Sequence, residues 1–181
     1  MHHLHPDQLN PPKFGCPCCE CPDCCCCRGA TGPPGPPGPE PPIPDDVFAS
    51  FNNFAHAPAD ATLLPLDPAV SDPTGQIVST DGSRITLAAG YYLIAYQVSG
   101  LFSAPGYFQV TPFYNNASAI INGVYFMVGN WTGEGRFSGS GSVNFIIHVP
   151  AQTQFSLTFN SNTAVREFQT TITFLKLRRT V

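Results

Sequence analysis

Charge is scarce in this chain. Only 11% of its 181 residues are Asp, Glu, Lys or Arg, and 8 basic residues stand against 12 acidic ones, for a formal net charge of -4. A phosphate backbone is gripped by clustered Lys and Arg, so binding to nucleic acid is excluded as a general activity. Also missing is any run of 18 or more apolar residues, so no helical membrane span is encoded. The opening MHHLHPDQLN lacks the basic-then-apolar order of a secretory leader, and neither a membrane partner nor ordinary secretion is expected. No G-x-S-x-G or H-E-x-x-H occurs, the head has only His56 and His148, and Glu134 and Glu167 stand alone. Catalysis and a cofactor are therefore not expected. No segment carries a convincing apolar period of 3.6, which leaves helices out of the core.

What the chain does have is unevenly placed. With 43% hydrophobic and 12% aromatic residues it cannot be disordered throughout. Yet 13 of its 20 prolines lie in residues 1–45, all 8 cysteines lie between Cys16 and Cys27, and 13 of 14 phenylalanines lie beyond residue 45. The sequence divides into a Cys-rich N-terminal anchor (1–28), a collagen-like stalk and linker (29–45) and a head (46–181).

The stalk reads GAT GPP GPP GPE, with Gly29, Gly32, Gly35 and Gly38 at a strict period of three and proline in five of the eight flanking positions. Three polyproline-II chains share an axis only if every third residue lacks a side chain, and proline pre-sets that backbone. A proline-rich linker is the competing reading, but it needs no glycine period. Twelve residues make a rod of roughly 37 Å, too short to hold three chains by itself.

Upstream, GCPCCECPDCCCCRG carries Cys16, Cys18, Cys19, Cys21, Cys24, Cys25, Cys26 and Cys27. Neighbouring cysteines are poorly placed to pair with each other, because a disulfide needs Cα atoms about 5.5 Å apart, so interchain cross-links are the preferred reading. A metal site competes through the two-residue gaps, but no second pair or His follows at finger spacing, and no metal is expected. Lipidation lacks an adjoining basic cluster, and His2, His3 and His5 read as a solvated terminus.

The head alternates with period two. In TQFSLTFNS, Phe155, Leu157 and Phe159 share one face; in EFQTTITFLKL, Phe168, Ile172 and Phe174 do; in SVNFIIHV, Val143, Phe145 and Ile147 do, with His148 opposite. VFASFNNFAH, QIVST, RITLA, YYLIAYQVS, YFQVTPFYN and AIINGVYFMV are further strand candidates, separated by Asp-Gly, Asn-Asn, Asn-Gly and repeated Gly-Ser, all read as turns. Eight to ten antiparallel strands imply an all-β sandwich or barrel, with the jelly roll the natural candidate. Two sequons, at Asn116 and Asn130, read as coincidence in a chain with no leader.

Ile85 to Gly133 and Phe137 to Val165 contain no Asp, Glu, Lys or Arg. Outward strand positions normally meet water and carry charge. Here they are Ser, Thr, Asn, Gln, Ala or aromatic, so several outer faces are expected to pack on sister subunits.

GYYLIAYQVSG supplies Gly90, Tyr92 and Tyr96 in the pattern G-x-Y-x-[F/I]-x-Y, with Ile94 at the variable position. Behind a short Gly-Pro-Pro stretch, and together with VFASF and TITFLKL, this resembles the globular heads of complement-type collagenous proteins and the tumour necrosis factor fold. Within that group it is most similar to the BclA-type collagen-like glycoproteins of the exosporium, over residues 29–181. The resemblance implies a homotrimeric jelly roll on a collagenous stalk, at the spore surface and exposed after mother-cell lysis. Its four triplets and its cysteine-dense leader depart from that family, which suits a repeating fibre or cap held by the N-termini to the trimer or basal protein below. The alternative is a trimeric adhesin whose tip displays aromatics, Tyr107, Phe113, Tyr114, Tyr125 and above all Trp131.

Overall fold

A computed structural model of the chain describes residues 46–129 and 137–178, together with Gly32, Pro34, Gly35 and Gly38. Trp131, Glu134, the cysteines and Gly29 lie outside the described residues.

The described head is built of strands, with one 3-10 turn at Ile120–Asn122 and no α-helix among the described residues. In chain order the strands are β1 (Phe48–His56), β2 (Thr62–Leu63), β3 (Asp67–Val70), β4 (Ile77–Ser79), β5 (Arg84–Leu87) and β6 (Gly90–Phe102). They continue with β7 (Gly106–Tyr114), β8 (Ala117–Ser118), β9 (Val124–Val128), β10 (Phe137–Val149), β11 (Thr153–Ser161) and β12 (Val165–Leu177). Two antiparallel sheets form: a five-stranded one ordered β10-β6-β12-β1-β3, and a seven-stranded one ordered β4-β5-β11-β7-β8, in which β2 also pairs β11 and β9 also pairs β7. Neighbours in each sheet are mostly distant in sequence, the crossing pattern of a jelly roll.

The expected alternation is realised in the core. Phe155, Leu157 and Phe159 of β11 and Phe168, Ile172 and Phe174 of β12 are all buried between the sheets. Their rings meet edge-on across the gap: Phe155 on Phe174 at 5.1 Å, Phe159 on Phe168 at 5.0 Å and Phe108 on Phe168 at 5.4 Å. Edge-to-face pairs set positive ring edges against negative faces, adding to the burial energy. Ile147 completes the inward row of β10, with Val143 and Phe145 half-buried against the core.

Three expectations need correction. There are twelve strands among the described residues, not eight to ten. The additional ones, β2, β3 and β8, span two to four residues, too short for alternation to register. AIINGVYFMV is not one strand: Ile120–Asn122 turns, and β9 begins at Val124. Repeated Gly-Ser is not a turn. Ser138 to Ser142 lies inside β10, paired through Gly139 and Gly141 to Gly100 and Val98 of β6. A Cβ at Gly141 would sit 2.3 Å from Val124 Cγ1, and one at Gly139 2.4 Å from Phe126 Cδ1. These glycines let β9 of one sheet close onto β10 of the other, sealing that side of the sandwich.

One polar atom is stranded. Thr170 on β12 is 1% exposed, and its hydroxyl has no hydrogen-bond partner among the described residues. Valine has the same shape without the desolvation cost. Thr170→Val is expected to raise stability by about 1 kcal/mol in urea unfolding.

Candidate assembly surface

Gly90, Tyr92 and Tyr96 are brought together at the start of β6, and their chemistry is structural. Gly90 has φ 150°, a backbone that residues with a side chain rarely adopt, so glycine is favoured there; a Cβ would also fall 2.4 Å from Lys176 Cε, the movable end of that lysine. Tyr92 and Tyr96 point inward with Ile94, all buried. The Tyr92 hydroxyl donates to the Ala88 carbonyl at 2.8 Å, and the Tyr96 hydroxyl to the Asn122 carbonyl at 2.7 Å, so each phenol ties a loop to the sheet. Burial pushes the Tyr92 phenol up to about 12, with the Asp72 charge adding to it, and burial raises Tyr96 as well. An unfolded phenol ionises near pH 10. Above that pH the unfolded chain binds fewer protons than the folded one, so stability falls as pH rises. Urea midpoints are expected to hold up to about pH 10 and to drop steadily between about 10 and 12; Tyr92→Phe removes part of that slope.

Beside this cluster, Lys176 Nζ donates to Gln76 Oε1 at 2.6 Å and lies 5.7 Å from the Tyr92 ring centre. Asp72 is 8% exposed. Burial alone would raise its carboxyl, but the Thr74 N–H and hydroxyl and the Gln76 and Ile77 N–H groups hold it below the usual carboxylate range. The loop before β4 is thus wound around one carboxylate and tied to β12.

The exposed face of the five-stranded sheet is where sequence reasoning and structure diverge most. Register places Ile146 opposite Leu93, Leu93 opposite Leu175, and Leu175 opposite Phe48. Four apolar side chains therefore line up across β10, β6, β12 and β1, with Ile146 62%, Phe48 44% and Leu175 38% exposed. Outward positions were expected to be small, polar or aromatic; these include aliphatic residues. On one side of the row, His148 stacks on Tyr91 at 4.5 Å, with Leu177 next to Tyr91. On the other side the rows turn polar: Asn144, Ala95, Thr173 and Ser50, then Ser142, Gln97, Thr171 and Asn52. None of these eight positions is charged; the second row ends on Asp67 of β3, opposite Asn52, and Arg166 stands opposite Leu101 farther along.

A second exposed apolar group sits on β9 and the turn before it. Tyr125 is 57% and Met127 64% exposed, Tyr125 stacks on Tyr107 at 5.4 Å, and Ile120 and Ile121 are 69% and 92% exposed. Tyr114 instead packs inside against Phe145 and Phe155.

No family model matches this chain, and no curated protein matches it. Among solved structures it is similar to the globular domain of zebrafish complement 1qA protein, with a TM-score of 0.53 at 10% identity, covering 75% of this chain and 100% of that one. At that identity the likeness speaks for the fold alone: the head is a two-sheet jelly roll of the complement-1q and tumour necrosis factor type.

Proposed function

We propose that this chain is a structural subunit of a spore-surface (exosporium) filament or appendage. The head forms a homotrimer, and Cys16 to Cys27 link each trimer to its neighbours or to a basal spore-surface protein. The observation that carries the reading is the apolar row Ile146, Leu93, Leu175 and Phe48, aligned across four strands of an exposed sheet face; the row itself carries no charge, and Asp67, opposite Asn52, and Arg166, opposite Leu101, lie farther along that face. Contiguous exposed apolar surface on a soluble domain marks a protein contact. The apolar residues of β9 lie on a different surface from that row. Two complementary patches on one subunit make a heterologous contact, which closes into a ring when the rotation allows.

The stalk fits the same threefold arrangement. A Cβ at Gly32, Gly35 or Gly38 would meet no described atom within 4 Å. Nothing described in a single chain demands glycine there, whereas the crowded axis of three chains does. Trimeric heads hold three copies of residues 29–40 together at high local concentration, which offsets the shortness of the rod.

The test is electrophoresis and electron microscopy of the purified full chain with and without reductant. Cross-linked species and filaments should separate on reduction into single trimers; a non-reduced sample running only as single chains contradicts the cysteine assignment. Gly35→Val should leave the head trimer intact and make residues 29–40 sensitive to protease. Unchanged protease resistance would reduce the segment to a linker.

A further inference from the structure

The outer face of the seven-stranded sheet carries a cleft of about 280 Å³ lined by Thr86, Phe113, Asn116, Gln152, Thr153 and Gln154. From these residues we infer a binding site for a neutral sugar ring, a hexopyranose at the end or in the branch of a glycan.

The composition of the lining selects the ligand class. None of the six side chains is charged, and the nearby Arg84 is already paired with Asp81. A phosphate or carboxylate ligand would find no cation in the lining to replace its hydration. A purely apolar ligand would strand the amides and hydroxyls. Three carboxamides offer donors and acceptors together, the combination that matches vicinal hydroxyls. Those of Asn116, Gln152 and Gln154 have no hydrogen-bond partner among the described residues. Phe113, 36% exposed, adds the flat apolar surface on which the C–H face of a pyranose rests. The volume is at the lower edge of the ~300–1,000 Å³ usual for ligand sites, which suits one ring.

The rim is held in place before any ligand arrives. Asn115 and Asn116 both take left-handed backbone, φ 49° and 60°, in the tight turn between β7 and β8. The Asn115 N–H donates to Thr153 Oγ1 at 3.1 Å, and Asn115 Nδ2 donates to the His148 carbonyl at 2.9 Å. These bonds fasten the β7–β8 turn to the β10–β11 turn, so Asn116 and Gln152 face the cleft from fixed backbone. The opposite wall is Thr86, paired in register with Gln154 and bonded to Thr80 through its hydroxyl at 2.7 Å. Pre-set groups lose little freedom on binding, which favours affinity from a small site.

The site belongs to a single head and does not depend on threefold association. A trimer would present three copies and raise avidity toward a branched glycan. Saturation-transfer NMR on the full chain, produced without glycosylation, is the direct test. The probes are methyl glycosides of neutral hexoses and N-acetylhexosamines, with a glucuronide as the charged control. Transfer to at least one neutral glycoside and none to the glucuronide is expected. Phe113→Ala and Gln154→Ala should each reduce the signal at least tenfold while leaving the circular dichroism and sedimentation mass unchanged. No transfer to any neutral probe overturns the assignment, as does transfer that survives both substitutions. Equal transfer to the glucuronide overturns the ligand class.

Discussion

Ile146→Lys should turn a trimer into a folded monomer. Ile146 is 62% exposed in the single head, so a lysine there has room and water, and the fold of one subunit should be unaffected. In a threefold assembly the same side chain would be pressed into an apolar contact with a neighbour, and an unpaired charge taken out of water costs several kcal/mol. Threefold symmetry repeats that cost at three contacts. The expected result is a shift of the sedimenting species from trimer to monomer at micromolar concentration, with an unchanged β-type circular dichroism spectrum. Leu175→Asp, at 38% exposure on the same row, should behave alike, whereas Ser140→Lys on the polar end should have a much smaller effect. If Ile146→Lys stayed trimeric, the apolar row would not be the contact.

Gly141→Val should have the largest effect on the stability of the head itself. The added Cβ would lie 2.3 Å from Val124 Cγ1, a short side chain fixed to the strand that closes the sandwich, so either β9 or β10 must move. Overpacking of this kind costs about 1–3 kcal/mol, and at roughly 3–6 °C per kcal/mol the melting temperature should fall by up to ~18 °C. Gly141→Ala combined with Val124→Ala should be less destabilised than the sum of the two single changes, because the two methyls removed from Val124 make space for the one added at Gly141. Ser140→Val, one residue away but outward, isolates the steric effect from any change in strand propensity.

Those two residues also mark where the sequence stops being readable. Period-two alternation is a property of one strand, so the inward rows of β11 and β12 were legible without partners. Gly139 and Gly141 alternate with serines, and a Gly-Ser repeat carries the same local signal whether it turns or runs straight; only the approach of Val124 and Phe126 distinguishes the two. The apolar row was hidden for a related reason. Phe48, Leu93, Ile146 and Leu175 are each unremarkable outward residues, and their alignment is a matter of register between strands far apart in the chain. Depletion of Asp, Glu, Lys and Arg is visible without register, and it is what raised the expectation of a covered outer face. Tyr92 and Tyr96 were legible as a motif, while the loops their hydroxyls hold, at Ala88 and Asn122, were not, since a backbone carbonyl has no residue signature. The winding of the β4 loop around Asp72 was missed because one aspartate among turn residues looks like any other.

Threefold association of the head is the claim on which the structural assignment rests, and sedimentation equilibrium of the full chain in excess reductant tests it most directly. Reduction removes any contribution from the cysteines and leaves the sheet faces to act alone. The expected mass is about three times the 19.4 kDa chain, stable on dilution through the micromolar range. A single species of 19.4 kDa under those conditions contradicts the account.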